Sequence, residues 1–157
     1  MGLNKTTNRL PDSIPFLMGA LLEPLVVTVY AVRKAQLKAN STCLVISAGA
    51  VGLLCAAVAR YEGCQYVVMT DITKNRLDFA LANGFADVIY TITPRRGSNV
   101  QEDLEITKHI SEKLVAINKA VDSESNMFNA VFECTGVQSS VQALIYVSTP
   151  PVTLKDA

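Results

Sequence analysis

Cys43-Leu44-Val45-Ile46-Ser47-Ala48-Gly49-Ala50-Val51-Gly52 runs directly into Leu53-Leu54-Cys55-Ala56-Ala57-Val58-Ala59-Arg60-Tyr61. The first four residues form a short apolar run rich in β-branched side chains, the next six are small, and the last nine favour helix. The order is strand, tight turn, helix. The 21 residues from Ala39 to Ala59 carry no charge and lie between Lys38 and Arg60, a length that also suits a membrane span. Polar Asn40, Ser41, Thr42 and Ser47 shorten the apolar part, and the internal order of residues favours the soluble reading.

Outward from this stretch the same alternation repeats. Tyr66-Val67-Val68-Met69-Thr70 is a buried strand closed by Asp71, and Lys74 to Asn83 is a helix ended by Gly84. Asp87 to Tyr90 suits a third strand, and Pro94-Arg95-Arg96-Gly97-Ser98 has loop chemistry. Leu104, Ile110, Leu114, Ile117 and Val121 then recur on one helical face. Ala130-Val131-Phe132-Glu133 makes a fourth strand and Thr135-Gly136 a turn, followed by a helix from Val137 to Val147 that Pro150-Pro151 breaks. Strands alternating with helices predict an α/β fold, a parallel sheet with helices on both faces. One or two helices precede it.

Composition narrows the function classes. The chain has 157 residues, 50% of them hydrophobic, a length and apolar content sufficient for one self-supporting core. Fourteen basic side chains balance fourteen acidic ones with no long basic run, which argues against a nucleic-acid partner. Cys43, Cys55, Cys64 and Cys134 show no C-x-x-C spacing and read as small apolar core residues. His109 is the only histidine, so a self-contained zinc site has almost no ligands to draw on. No secretory signal is expected, nor a membrane partner, and the thiols are expected to stay reduced in a cytoplasmic chain. A myristoylation pattern at Gly2 is too short to carry weight.

The small turn carries the chemistry. A G-x-G-x-x-G turn between strand and helix lets a pyrophosphate approach the helix N-terminus, where unpaired N–H groups and the dipole favour anions. Gly49 and Gly52 supply the last two glycines, with Ala50 and Val51 between them. Ser47 stands at the first position, where a side chain is expected to strain the turn. Asp71 follows Gly52 by 19 residues and closes the next strand, where an acid accepts from adenosine ribose hydroxyls and repels the extra phosphate of NADP. Arg76 is placed to contact the ribose or cover the adenine. The plain structural alternative is a ligand-free turn for Gly49 and Gly52, and a strand end or helix cap for Asp71. An S-adenosylmethionine site is disfavoured because Cys43 to Val51 contains no acid. Tyr30-Ala31-Val32-Arg33-Lys34 fits the Tyr-x-x-x-Lys string of short-chain dehydrogenases but precedes the first strand, so Tyr30 reads as helix packing and Lys34 as a solvated residue.

Several stretches together resemble one family. They are Gly19-Ala20-Leu21-Leu22-Glu23-Pro24-Leu25, Ala48-Gly49-Ala50-Val51-Gly52, Asp71 with Asn75-Arg76-Leu77, Asn83-Gly84-Phe85-Ala86-Asp87, and Phe132-Glu133-Cys134-Thr135-Gly136-Val137. In this order they resemble zinc-dependent medium-chain dehydrogenases, in particular the fungal polyol type acting on sorbitol, xylitol or L-arabinitol. The resemblance covers about Pro11 to Tyr146. It implies a Rossmann-type domain, hydride transfer between a polyol and NAD, and zinc polarising the alcohol oxygen. It further implies that Glu23 matches the glutamate at the catalytic zinc, and that Cys134 and Thr135 line the nicotinamide side. Bottom-up, Glu23 before Pro24 is equally an acid at a helix start.

The family takes its other zinc ligands from a GroES-like domain absent here, so zinc is not expected to bind this chain alone. The expected division is 1–39 as tail and linking helix, 40–147 as a partial NAD(P)-binding core, and 148–157 as a divergent tail. Four strands in order 3-2-1-4 would leave the fourth strand's edge open to self-association. The functional expectation is the NAD-binding portion of a polyol dehydrogenase, inactive by itself. The alternative is a non-catalytic NAD-binding or partner-pairing module.

Overall fold

The computed structural model describes residues 9–95, 97–122, 127–137 and 147. Two helices, α1 (Phe16–Gly19) and α2 (Leu22–Lys34), precede the alternating units β1 (Ser41–Ile46), α3 (Ala50–Tyr61), β2 (Cys64–Asp71), α4 (Lys74–Ala82), β3 (Val88–Thr91), α5 (Val100–Val121) and β4 (Ala130–Glu133). The strands form one sheet in the order β3-β2-β1-β4, and every pairing is parallel. The expected Rossmann-type order is what the structure shows. The expected helix from Val137 to Val147 and the tail 148–157 lie outside the described residues, apart from Val137 and Val147 themselves.

All six residues of β1 are buried, which explains why this strand reads as an apolar run rather than an alternation. Cys43 and Val45 face a core built with Val32 of α2, Cys55, Ala56 and Ala59 of α3, and Leu77 and Ala80 of α4. Leu44 and Ile46 point the other way, to Val68, Leu114 of α5, Phe128 and Val147. The register pairs Val45 with Met69 on one side and with Phe132 on the other, so β1 is the spine of the sheet.

Element boundaries moved by a few residues where caps and pairing, rather than hydropathy, decide them. Strand β1 begins at Ser41 because its polar first residues pair alongside Cys64 and Tyr66. Helix α3 begins at Ala50, taking in the small residues of the turn. Helix α5 begins at Val100, where the Asn99 side chain accepts from the Glu102 N–H at 2.9 Å. Asp87, just before β3, accepts from the Val67 N–H at 2.7 Å and from Arg60 of α3 at 2.8 Å.

The strand, turn and helix order expected for 39–59 holds, since this stretch forms β1, the turn and α3 at the centre of the fold rather than one continuous helix. A different segment passes the length test. Phe16–Lys34 is long and apolar enough to cross a membrane by length and composition, and only 11% of it is buried. Thr28 and Val32 face the core, while Phe16, Leu17, Met18, Val26, Val27 and Tyr30 are exposed. Tyr30 therefore does not pack into the helix layer as expected. It stands 66% exposed, with the Lys34 ammonium 5.4 Å from its ring centroid, because it lies on the face of α2 opposite Thr28 and Val32.

Burial separates the consequences of substitution. Leu114→Ala removes a side chain with 1% exposure and should cost about 2–5 kcal/mol in urea unfolding. Val26→Lys, on the exposed face of α2, should move stability by no more than about 0.5 kcal/mol in the same measurement.

Candidate functional site

The C-terminal ends of the strands surround a cavity of about 530 Å³, bounded by Ser47, Asp71, Arg76, Cys134 and Thr135 and by Ile106 and Ile110 of α5. In a parallel sheet this edge, where the strand order reverses, is where ligands bind. The reversal lies between β1 and β4.

Glycine is required at one position of the turn above all. A Cβ on Gly52 would lie 1.9 Å from the Ser47 carbonyl oxygen, so only a bare backbone lets α3 sit this close to the end of β1. Gly49 is the N-cap of α3, and a Cβ there would make only an ordinary 3.4 Å contact with Ser47 Oγ. No side chain caps α3, which leaves the N–H groups around Ala50 and Val51 facing outward at the positive end of the helix.

Ser47 occupies the turn with φ of +105°, the left-handed region that ordinarily selects glycine. The strain foreseen from its side chain is present, at a cost of about 1–3 kcal/mol. Part of this is offset locally, since Ser47 Oγ accepts from the Gly49 N–H at 3.2 Å.

Asp71 does more than close β2. Its Oδ2 accepts from the Ala48 N–H at 2.7 Å and its Oδ1 from the Thr73 N–H at 2.8 Å, so one carboxylate ties the glycine turn to the β2–α4 loop. The residue is 8% exposed. Burial pushes its carboxyl up, and the two backbone donors together with Arg76 outweigh that, holding it below the usual carboxylate range. Arg76 itself is exposed at the cavity rim.

The turn after β4 is held the same way. Glu133 accepts from the Thr135 N–H at 2.7 Å, from the Thr135 hydroxyl and from the Gly136 N–H at 3.0 Å, and Gly136 adopts φ of +71°. Cys134 lies behind Thr135, partly exposed to the cavity rather than a full core residue. Sequence reasoning brought Gly49, Gly52, Asp71, Arg76, Cys134 and Thr135 to one edge of the sheet, where the structure has them. It missed Glu133 as the brace of this turn, although an acid two residues before a Thr-Gly pair is a legible turn signal. It also missed the apolar wall from α5.

Glu23 lies elsewhere. It is an exposed acid in the first turn of α2, as its helix-start reading anticipated. Among the described residues no three His, Cys, Asp or Glu side chains are grouped to hold a metal ion.

The family model for zinc-binding dehydrogenases matches residues 50–151. The chain belongs to this family. Sorbitol dehydrogenase of Mus musculus is 35% identical over 146 residues, covering 93% of this chain and 36% of the mouse protein. D-xylulose reductase of Saccharomyces cerevisiae is 34% identical over 139 residues, covering 88% of this chain and 35% of the yeast protein. Galactitol-1-phosphate dehydrogenase from Escherichia coli superposes with a TM-score of 0.65 at 25% identity, covering 90% of this chain and 35% of that one. This zinc-binding dehydrogenase chain therefore spans about a third of the length of the curated relatives it matches.

The turn geometry generates opposite outcomes for its two ends. Gly52→Ala should destabilise by about 3 kcal/mol or more, because a backbone carbonyl cannot yield. Ser47→Gly should stabilise by about 1 kcal/mol in chemical unfolding, the relief of the positive φ exceeding the lost hydroxyl contact.

Asp71 predicts a pH dependence. Its folded pKa lies below its unfolded value, so its contribution is fully present above about pH 4 and is lost as pH falls through the folded value. Unfolding free energies from pH 7 down to pH 2 should show the gap between the native chain and Asp71→Asn closing over that interval.

Proposed function

We propose that the cavity binds a nicotinamide dinucleotide, NAD in preference to NADP, and that the chain is the cofactor-binding part of a polyol dehydrogenase. One observation carries this reading: the buried Asp71 carboxylate, joined through Ala48 to a glycine turn whose helix N-terminus is uncapped, borders the cavity together with Ser47 of that turn. The backbone of Gly49, Ala50, Val51 and Gly52 receives the pyrophosphate at the dipole end of α3. Beyond its bonds to the Ala48 N–H and to the Thr73 N–H and hydroxyl, the Asp71 carboxylate keeps acceptor capacity for a ribose hydroxyl, while its charge opposes a ribose phosphate. Arg76 covers the adenosine end. Cys134 and Thr135 border the nicotinamide end, and Glu133 keeps their turn in place.

A bound nicotinamide supplies hydride acceptance from an alcohol carbon. The residues of this chain bind and orient it and shield part of it from water. The described residues do not fit a zinc ion, since Glu23 stands exposed and no ligand cluster surrounds it, so no catalytic step through zinc is assigned to them. The core division at 40–147 and a cytoplasmic location accompany this reading. A non-catalytic dinucleotide module is the second reading.

Calorimetric titration with NAD and NADP tests the proposal. Binding of NAD at least about tenfold tighter than NADP is expected, since repulsion of an added phosphate of 1.4 kcal/mol corresponds to that ratio. Asp71→Ala should abolish the preference and weaken NAD. Absence of binding to either nucleotide, or tighter binding of NADP, overturns it.

A further inference from the structure

Cys55 and Cys134 meet where α3 passes the end of β4. They are 79 residues apart in sequence, and the Cys134 S–H donates to Cys55 Sγ across 3.9 Å, a van der Waals contact between sulfurs. Cys55 is buried among the small residues of α3 at 3% exposure. Cys134 is reached from the cavity. The described chain has a second adjoining thiol pair, Cys43 and Cys64, but both lie inside the core and neither borders the cavity.

We propose that Cys55 and Cys134 form an oxidation site that closes to a disulfide when a peroxide enters the cavity. The Cys134 sulfur attacks the peroxide, taking one oxygen as a sulfenic acid while the O–O bond breaks and water leaves. The Cys55 sulfur then displaces that oxygen. The S–S bond forms, the S–O bond breaks, and the oxygen departs as a second water with the Cys55 proton. Two thiols are oxidised and one hydrogen peroxide is reduced to two waters.

The sulfurs must approach from 3.9 Å to about 2.05 Å. Cys134 lies one residue beyond β4 and its N–H still donates to the Ile46 carbonyl of β1 at 3.0 Å, so the approach falls to rotation of the two cysteine side chains, which leaves that bond and the β1–β4 ladder in place. The shared hydrogen bond lowers the Cys55 thiol against the opposing effect of burial, so Cys55 is the sulfur poised to displace the sulfenic oxygen, whereas Cys134, whose thiol Cys55 and burial push up, reacts with peroxide only on giving up its proton. In a reducing compartment such bridges are transient and suit redox sensing rather than structure. The site also bears on ligand binding, because Thr135 adjoins Cys134 and lines the same cavity.

The test is a peptide map of the reduced chain before and after hydrogen peroxide, with free thiols alkylated and digestion under non-reducing conditions. The expected product is a single linked peptide pair through Cys55 and Cys134, reversed by dithiothreitol, with Cys43 and Cys64 recovered as alkylated thiols after unfolding. Cys134→Ser should lose the link. The map of the native sequence decides the matter even if that variant fails to fold. Recovery of Cys134 as a sulfinic acid beside an alkylated Cys55, or a link through Cys43 and Cys64 instead, would overturn the assignment. The map uses no nucleotide, so it stands apart from the dinucleotide reading. If that reading also holds, prior saturation with NAD should slow the bridge severalfold.

Discussion

The approach of Gly52 to the Ser47 carbonyl is the constraint on which the rest of the cavity depends. With no side chain at 52, the first turn of α3 lies against the end of β1, and the helix N-terminus opens at the strand ends instead of over the sheet. From there the Ala48 N–H is within reach of Asp71 on the neighbouring strand. Relax that approach, and the anion-favouring end of α3, the Asp71 tie and the position of Cys55 against Cys134 all shift together. The positive φ of Ser47 is the local cost of keeping the contact with a residue that is not glycine.

Carboxylates then hold the loops that frame the cavity. Asp71 accepts from the β1–α3 turn and the β2–α4 loop, Glu133 from the turn after β4, and Asp103 from the Gly97 N–H before α5 at 2.6 Å. Each replaces water at backbone donors that a loop would otherwise leave exposed, so the strand ends are prearranged before any ligand arrives. A ligand recognised there has less chain to order on binding.

Much of the fold was legible because burial on both faces of a parallel sheet leaves continuous apolar runs, as in Cys43 to Ile46 and Tyr66 to Thr70. The strand order and the edge carrying Asp71, Cys134 and Thr135 follow from that alternation and from the positions of the glycines. What escaped was set by contacts distant in sequence or by the direction of a side chain. Nothing in the spacing of Cys55 and Cys134 announces that their sulfurs touch. Likewise the period of α2 marks Tyr30 as apolar but does not say which of its faces is covered, and the structure leaves Phe16 to Tyr30 largely exposed. The sequence presents Asp71 as a ligand group or as a strand end or cap, and neither reading anticipates that its bonds to Ala48 and Thr73 tie two loops together.

The order of assembly follows from the central strand. Strand β1 finds β2 after a connection of one helix, yet its other edge pairs Cys43 with Ala130, and Thr42 reaches Asn129, 87 residues along the chain. During synthesis the apolar edge of β1 therefore waits, unpaired, until nearly the whole described chain has been made. Closing so long a loop is slow, and an open parallel edge in the interval invites pairing with another nascent chain. Yield of the folded protein should thus be governed by how fast β4 arrives rather than by how stable the finished sheet is.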